Sequence, residues 1–264
     1  MRPVTPERAK KKRRVRARLR RGAYLLPSLF TIGNILLGFY AFVLGFRGEF
    51  KTAALLIFAA GVLDGLDGRI ARLIGTESEF GKEFDSLADV LTFGAVPALL
   101  AFLWGLKDLG RIGWLVPLFF VLCSAIRLAR FNVRTKVVDS RYFVGLPAPV
   151  AAGAIAAFLF LVPSSDWRRW LEAVMLVALI AVGALMVSTF RYPSFKKIDL
   201  RQRWSYRAAL PLAAVILVLA YHPPAFFLSA AMVYTLSGPL GWLFGRLRRR
   251  DPVADANMER QETP

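Results

Sequence analysis

Four aspartates occur in two pairs inside apolar stretches of the sequence. Asp64 and Asp67 form one pair, and Asp85 and Asp89 form the other. Because helical residues three or four positions apart share a face, each pair is predicted to present two carboxylates on one side of a helix. A short loop between the pairs returns both helices to one depth, so all four acids can converge on one site. Ionisable residues inside membrane segments mark functional sites by default.

Four carboxylates this close together repel one another unless a cation neutralises them. An all-oxygen set without His or Cys suits a hard divalent cation, Mg²⁺, Mn²⁺ or Ca²⁺. Gly65, Gly68 and Gly81 leave room beside the acids for a phosphate group, and Arg69 and Arg72 add positive charge. The pattern favours metal-dependent phosphate chemistry. Structural ion pairs, or an ion pathway in a transporter, are the alternatives for such acids and glycines.

The elements that must position these residues are membrane-spanning helices. The chain of 264 residues is 56% hydrophobic with a mean hydropathy of +0.47, which is more apolar than a soluble core of this size can bury. Eight stretches are long and apolar enough to cross a bilayer as helices. They are residues 29–46, 52–74, 86–104, 112–130, 146–162, 170–190, 206–221 and 225–244. The sequence therefore predicts an all-α, polytopic membrane helix bundle.

The ends of the chain differ from the apolar part. Residues 1–28 are predicted to be a basic cytoplasmic or interfacial segment, with a helix at residues 7–22 lying on the membrane. Residues 29–245 are predicted to be the transmembrane catalytic domain, and residues 246–264 a disordered cytoplasmic tail. The basic run at residues 10–14 could indicate nucleic-acid binding. Anionic lipid headgroups explain it better, because it directly precedes a first span. No nucleic-acid partner is expected.

Basic residues are distributed unequally between the two sides of the predicted bundle. With the amino terminus in the cytoplasm, 30 Lys and Arg fall on the cytoplasmic side and 6 on the other. Because Lys and Arg are enriched in cytoplasmic segments, both termini and the four aspartates are predicted to lie at the cytoplasmic face of the cell membrane.

The aspartates belong to a longer pattern: Asp64-Gly-Leu-Asp67-Gly68-Arg-Ile-Ala71-Arg72, eight residues, Gly81, three residues, Asp85, three residues, Asp89. This pattern matches every position of the signature of the CDP-alcohol phosphotransferases, and the chain resembles that family. The resemblance implies a six-helix membrane core, usually dimeric, that binds a CDP-linked lipid near the cytoplasmic surface. It also implies residue roles: a two-metal centre on Asp64, Asp67 and Asp85, a base at Asp89 beside it, and cytidine and pyrophosphate contacts at Gly68, Ala71, Arg72 and Gly81.

Segments outside the signature resemble the branch of that family that uses L-serine as the acceptor. They are residues 27–34, 127–132, 145–149, 187–196 and 236–239. The implied reaction transfers the phosphatidyl group of CDP-diacylglycerol to L-serine and releases CMP. A guanidinium can hold the carboxylate of serine through two hydrogen bonds, and Arg127, Arg130 and Arg191 are predicted at the depth of the aspartates. A phosphorylated polyol, glycerol 3-phosphate or inositol phosphate, is the alternative acceptor, because the same arginines would bind its phosphate.

Overall fold

The computed structural model describes residues 25–74, 79–134, 142–163, 169–193 and 221–248. The predicted surface helix at residues 7–22 lies outside these residues. So do the seventh predicted span, apart from its last residue, and the tail after residue 248.

Helices make up nearly all of the described chain. Their bounds are Leu25–Phe46 (α1), Phe50–Ile74 (α2), Glu79–Asp89 (α3), Val96–Trp104 (α4), Gly110–Arg134 (α5), Ala148–Leu161 (α6), Arg169–Val187 (α7) and Pro223–Arg248 (α8). A π-helical segment, Val90–Ala95, joins α3 to α4, and the three run on as one 26-residue helix from Glu79 to Trp104.

Five stretches of this helical structure are long and apolar enough to cross a membrane. They are Leu29–Phe46, Glu79–Trp104, Leu106–Val133, Arg169–Val187 and Pro223–Leu243. α6 is equally apolar but has 14 residues, and α2 has 25 residues but carries the charged signature in its second half. The predicted helical membrane bundle is confirmed. The predicted number of eight spans stays a prediction.

Small residues allow the central helices to pack closely. α6 lies between α2 and α8 and also contacts α7, while α5 packs against α7. The buried face of α6 is rich in alanine, including Ala148, Ala151, Ala152 and Ala156. Side chains this small let helix backbones approach within a membrane, where close packing drives helix association.

The π-helical segment is anchored between two helices. Thr92, Phe93 and Gly94 are all fully buried there. The Thr92 hydroxyl donates a hydrogen bond to the backbone carbonyl of Asn34 on α1 at 3.3 Å. A Cβ added at Gly94 would lie 3.0 Å from the Ser124 hydroxyl, so the glycine permits a close approach to α5. The last turn of α3, which carries Asp85 and Asp89, is thereby tied to the core.

Two three-residue strands, β1 (Tyr142–Val144) and β2 (Arg191–Pro193), pair antiparallel. They were not predicted from the sequence. The turn after β1 depends on Gly145, whose φ of +81° is favoured by glycine. Its N–H donates to the carbonyl of Phe190 at 2.9 Å. A Cβ at this position would lie 2.3 Å from the carbonyl oxygen of Met186, so the segment before α6 is held against the end of α7.

Candidate active site

Three of the four signature aspartates come together where α2 and α3 approach each other. One carboxylate oxygen from each of Asp64, Asp85 and Asp89 lies within 4.8 Å of the other two. Asp85 and Asp89 are one turn apart on α3 and therefore share a face. The convergence predicted for these three residues is found in the structure.

The remaining signature positions lie on the same two helices. Asp67, Gly68, Ala71 and Arg72 follow Asp64 on α2, and their side chains are outside the described part of the structure. Gly81 lies on α3, one turn before Asp85. The predicted contacts of these residues with metal, cytidine and pyrophosphate stay predictions.

The carboxylate cluster fits a divalent cation. Asp89 is hydrogen-bonded to Asp64, an arrangement that requires a proton on one of the two acids unless a cation replaces it. Asp89 also has one oxygen that is buried without a hydrogen-bond partner. Oxygens on opposite sides of Mg²⁺ are about 4.2 Å apart, and those around Ca²⁺ are about 4.8 Å apart. The spacing of the three acids is therefore suited to binding one hard cation directly.

The acids line a cavity of about 1270 Å³ bounded mainly by α2, α5, α6 and α8. Among the residues that the structure describes, the charged ones that line it are Asp64, Asp85, Asp89 and Arg127. Apolar side chains form most of the remaining wall, including Phe58, Val62, Phe131, Val150, Phe226 and Phe227. A few charged groups in a largely apolar wall suit an amphipathic ligand with a charged head and hydrocarbon chains.

The three arginines predicted to bind serine occupy different places. Arg127 is 9% exposed, lines the cavity, and interacts electrostatically with Asp89 and Asp64. Arg130 donates hydrogen bonds to the backbone carbonyls of Val187 at 2.9 Å and Ser188 at 3.4 Å. It thus satisfies the carboxyl end of α7, where a cation is favourable.

Arg191 lies on β2, where its backbone pairs with Val144, and its side chain is outside the described part. Arg127 is therefore the arginine, of these three, that the structure places at the acids.

A tyrosine on α8 was missed by the sequence analysis. Tyr234 lines the cavity and interacts with Arg127. Its ring stacks on that of Tyr192, with centroids 5.6 Å apart and 23° between the planes. Burial raises the pKa of Tyr192 to about 12, so at neutral pH its hydroxyl remains a donor to the carbonyl of Thr235 at 3.1 Å. A tyrosine in an apolar run carries no signal of a site, because tyrosines are common in membrane helices.

Known proteins resemble this chain over most of its length. A family model described as CDP-alcohol phosphatidyltransferase matches residues 24–185. Over 223 residues the chain is 40% identical to CDP-diacylglycerol–serine O-phosphatidyltransferase of Helicobacter pylori (strain ATCC 700392 / 26695), covering 84% of this chain and 92% of the relative. The protein of that name in Mycobacterium leprae (strain TN) is 35% identical over 188 residues, 69% of this chain and 62% of its own.

An archaeal relative carries a different name. Archaetidylserine synthase of Methanothermobacter thermautotrophicus is 38% identical over 170 residues, which is 64% of this chain and 69% of the relative.

The helix α8 lies outside the residues that the family model matches.

Proposed function

The chain belongs to the CDP-alcohol phosphatidyltransferase family, and we propose that it transfers the phosphatidyl group of CDP-diacylglycerol to L-serine, giving phosphatidylserine and CMP. One observation carries this proposal: Asp64, Asp85, Asp89 and Arg127 line a single cavity with a largely apolar wall. The names of the Helicobacter and Mycobacterium relatives support serine as the acceptor.

Enzymes of this family depend on metal, and the acidic cluster supplies the ligands. In this proposal Asp64 and Asp85, together with Asp67 and the adjacent Asp89, would hold Mg²⁺ or Mn²⁺ as a pair of ions, as the family resemblance implies; Ca²⁺ also suits the oxygen ligands. When bound, the metal neutralises charge on the pyrophosphate and on the departing CMP.

Asp89 is the proposed general base. It lies in the cluster beside Asp64, is partly buried and interacts with Arg127. Asp89 accepts the proton of the serine hydroxyl as the hydroxyl oxygen attacks the β-phosphorus. A new phosphorus–oxygen bond to serine forms while the bond from that phosphorus to the bridging oxygen breaks, and CMP leaves with the electron pair. Direct attack requires no covalent enzyme intermediate.

The two ends of the lipid substrate have separate environments. Gly68, Ala71, Arg72 and Gly81 are proposed to surround the cytidine and pyrophosphate, on the strength of the family signature. The acyl chains are proposed to lie along the apolar part of the cavity and in the bilayer. Arg127, with Arg191 as a further candidate, is proposed to bind the carboxylate of serine.

The setting of the enzyme is also part of the proposal. We expect a homodimer in the cell membrane, with the active site and both termini on the cytoplasmic side. The excess of Lys and Arg on that side supports the orientation, and the family resemblance supports the dimer.

A CMP-release assay tests the function directly. The purified protein in detergent micelles with CDP-diacylglycerol and Mg²⁺ or Mn²⁺ should release CMP when L-serine is added, and should form phosphatidylserine in equal amount. Excess chelator should abolish release. Release with glycerol 3-phosphate or inositol phosphate, but not with serine, would establish the alternative acceptor class. Serine-dependent release in excess chelator would contradict the metal assignment.

A further inference from the structure

The helix α8 forms one wall of the catalytic cavity. It contributes Phe226, Phe227, Ser229, Tyr234 and Ser237, among other residues, to the lining. Phe227 stacks face to face on Phe58 of α2, with ring centroids 4.3 Å apart and 16° between the planes. α8 also packs along α6 and against β2. A helix that lies outside the family-model match therefore faces the same space as the aspartates.

Tyr234 is a cavity-lining residue of α8 that interacts with the charged part of this cavity. Its electrostatic interaction with Arg127 places the phenol beside the guanidinium. Arg127 also faces Asp89 and Asp64. Its Nε is buried and has no hydrogen-bond partner. A ligand that contacts Arg127 from inside the cavity must therefore come close to Tyr234.

The ring of Tyr234 is held in place by its contact with Tyr192. Tyr192 is fully buried and stacks on it. The Tyr192 hydroxyl bonds to the backbone of Thr235, the residue after Tyr234. One turn later, Gly238 gives the Tyr192 ring room, because a Cβ there would lie 2.4 Å from that ring. The Tyr192 ring, its hydrogen bond to Thr235 and the space left by Gly238 thus fix the position of the phenol relative to the cavity.

We propose that Tyr234 is a further acceptor-binding residue, whose hydroxyl and the Arg127 guanidinium together hold the carboxylate of serine. This inference rests on the proposed function. A carboxylate has two oxygens, and a phenol and a guanidinium supply one donor to each. The phenol adds a hydrogen bond without adding charge.

Charge at this end of the cavity supports serine over a phosphorylated acceptor. Among the described residues that line the cavity, Arg127 is the one basic side chain, and it is already close to two carboxylates. A neutral donor beside a partly neutralised guanidinium suits the single negative charge of a carboxylate. A phosphate dianion is matched less well by one guanidinium and one neutral phenol.

Replacing Tyr234 by phenylalanine tests the proposal. Tyr234→Phe keeps the ring and its stack on Tyr192 and removes only the hydroxyl. The KM for serine should rise about tenfold, the value of one hydrogen bond to a charged group, while kcat and the KM for CDP-diacylglycerol stay within about twofold. Tyr221→Phe is the matched control, because Tyr221 is an exposed tyrosine just before α8. It should behave as the wild type.

Other outcomes have definite meanings. An unchanged serine KM in Tyr234→Phe would overturn the proposal, and so would an equal rise in both KM values, which indicates a general wall residue. Tyr234→Ala separates the two roles further, because loss of the ring should impair both substrates. A wild-type protein that releases no CMP with serine would contradict the proposed function itself. Serine-dependent wild-type activity with an unaffected Tyr234→Phe would contradict only this inference.

Discussion

Asp89 has a different environment from Asp85, although the two lie one turn apart on α3. It is hydrogen-bonded to Asp64, faces Arg127 and has a buried oxygen without a partner. Asp89→Asn keeps the shape of the side chain and removes its capacity to accept a proton. We expect kcat to fall about 10²- to 10⁴-fold, the usual contribution of a general base.

The measurement for Asp89→Asn is CMP release at saturating serine. Asp108→Asn is the control, because Asp108 is exposed on the turn between α4 and α5. It should keep wild-type activity. An Asp89→Asn enzyme within a few-fold of the wild type would show that the proton goes elsewhere.

Arg127 and Arg130 are expected to respond differently to the same replacement. Lysine keeps the charge of arginine but loses its two-pronged geometry. Arg127→Lys should raise the KM for serine about tenfold to a hundredfold, equivalent to about 1.4 to 3 kcal/mol. Arg130→Lys should leave that KM near the wild-type value and lower stability by about 1 kcal/mol, because Arg130 holds the carboxyl end of α7.

Serine titrations and thermal unfolding in detergent measure the two arginine effects. If Arg130→Lys changes the serine KM and Arg127→Lys does not, the acceptor end of the cavity lies closer to α7 than proposed.

The residues of the site differed in how far the sequence could predict them. Asp64, Asp85 and Asp89 were predicted to converge because helical spacing and a short connection are local properties. Arg127 and Arg130 looked equivalent, since both lie near the end of the same span. Their roles separate only when α7 packs against α5 and presents free carbonyls to Arg130. Tyr234 is more than 140 positions after Asp89, and no local pattern links them.

At the scale of the elements, hydropathy predicted the helical bundle but misplaced some helix ends. The third span was predicted to begin at residue 86, whereas α3 begins at Glu79. Glu79, Lys82 and Glu83 are too polar for hydrocarbon, and they extend the helix beyond the apolar stretch. The sixth span was predicted to reach residue 190, but α7 ends at Val187, where the chain turns toward β2. Strands of three residues are too short to show a periodicity.

Gly145 is the position where the strand connection is most sensitive to substitution. Gly145→Ala combines an unfavourable positive φ with a Cβ placed against the carbonyl of Met186. We expect a loss of stability of about 2 kcal/mol or more. Gly48→Ala is the matched control, because Gly48 has a similar φ of +76° with no atom within 4 Å of the added Cβ. It should lose about 1 kcal/mol or less.

Thermal unfolding in one detergent measures both glycine variants. Equal losses of stability for Gly145→Ala and Gly48→Ala would show that the end of α7 accommodates the Cβ added at residue 145 without further destabilisation.

At the scale of the whole molecule, orientation in the membrane is the main prediction. Cys123 is buried and is the single cysteine of the chain, so Cys123→Ser gives a background for labelling. In intact cells an impermeant thiol reagent should label Asp108→Cys and should not label Lys136→Cys until the membrane is permeabilised. The two positions flank α5 at opposite ends, and the excess of basic residues places residue 136 inside.

Labelling of Lys136→Cys in intact cells, with protection of Asp108→Cys, would reverse the orientation. Labelling of both positions in intact cells would show that α5 does not span the membrane.

Composition predicted that this molecule is a helical membrane protein, but it did not predict the cavity. A hydrophobic content of 56% favours a membrane, and helices are the way for a single chain segment to satisfy its backbone there. The cavity depends instead on which helices meet. α8 lies far from α2 in the chain, and the contact between Phe58 and Phe227 that joins them is tertiary.

The π-helical segment allows natural variation to shorten the chain between Asp89 and Pro97 by one residue without redirecting the acids. Each residue of an α-helix advances the direction of its neighbours by about 100°. A π turn accommodates an additional residue in that progression. Removal of one residue from Val90–Ala95 would therefore restore regular α-helical turns and leave Asp85 and Asp89 facing nearly the same way relative to α4. A homologue with a two-residue gap there would instead turn its acids by about 100°, a quarter turn, away from the cavity.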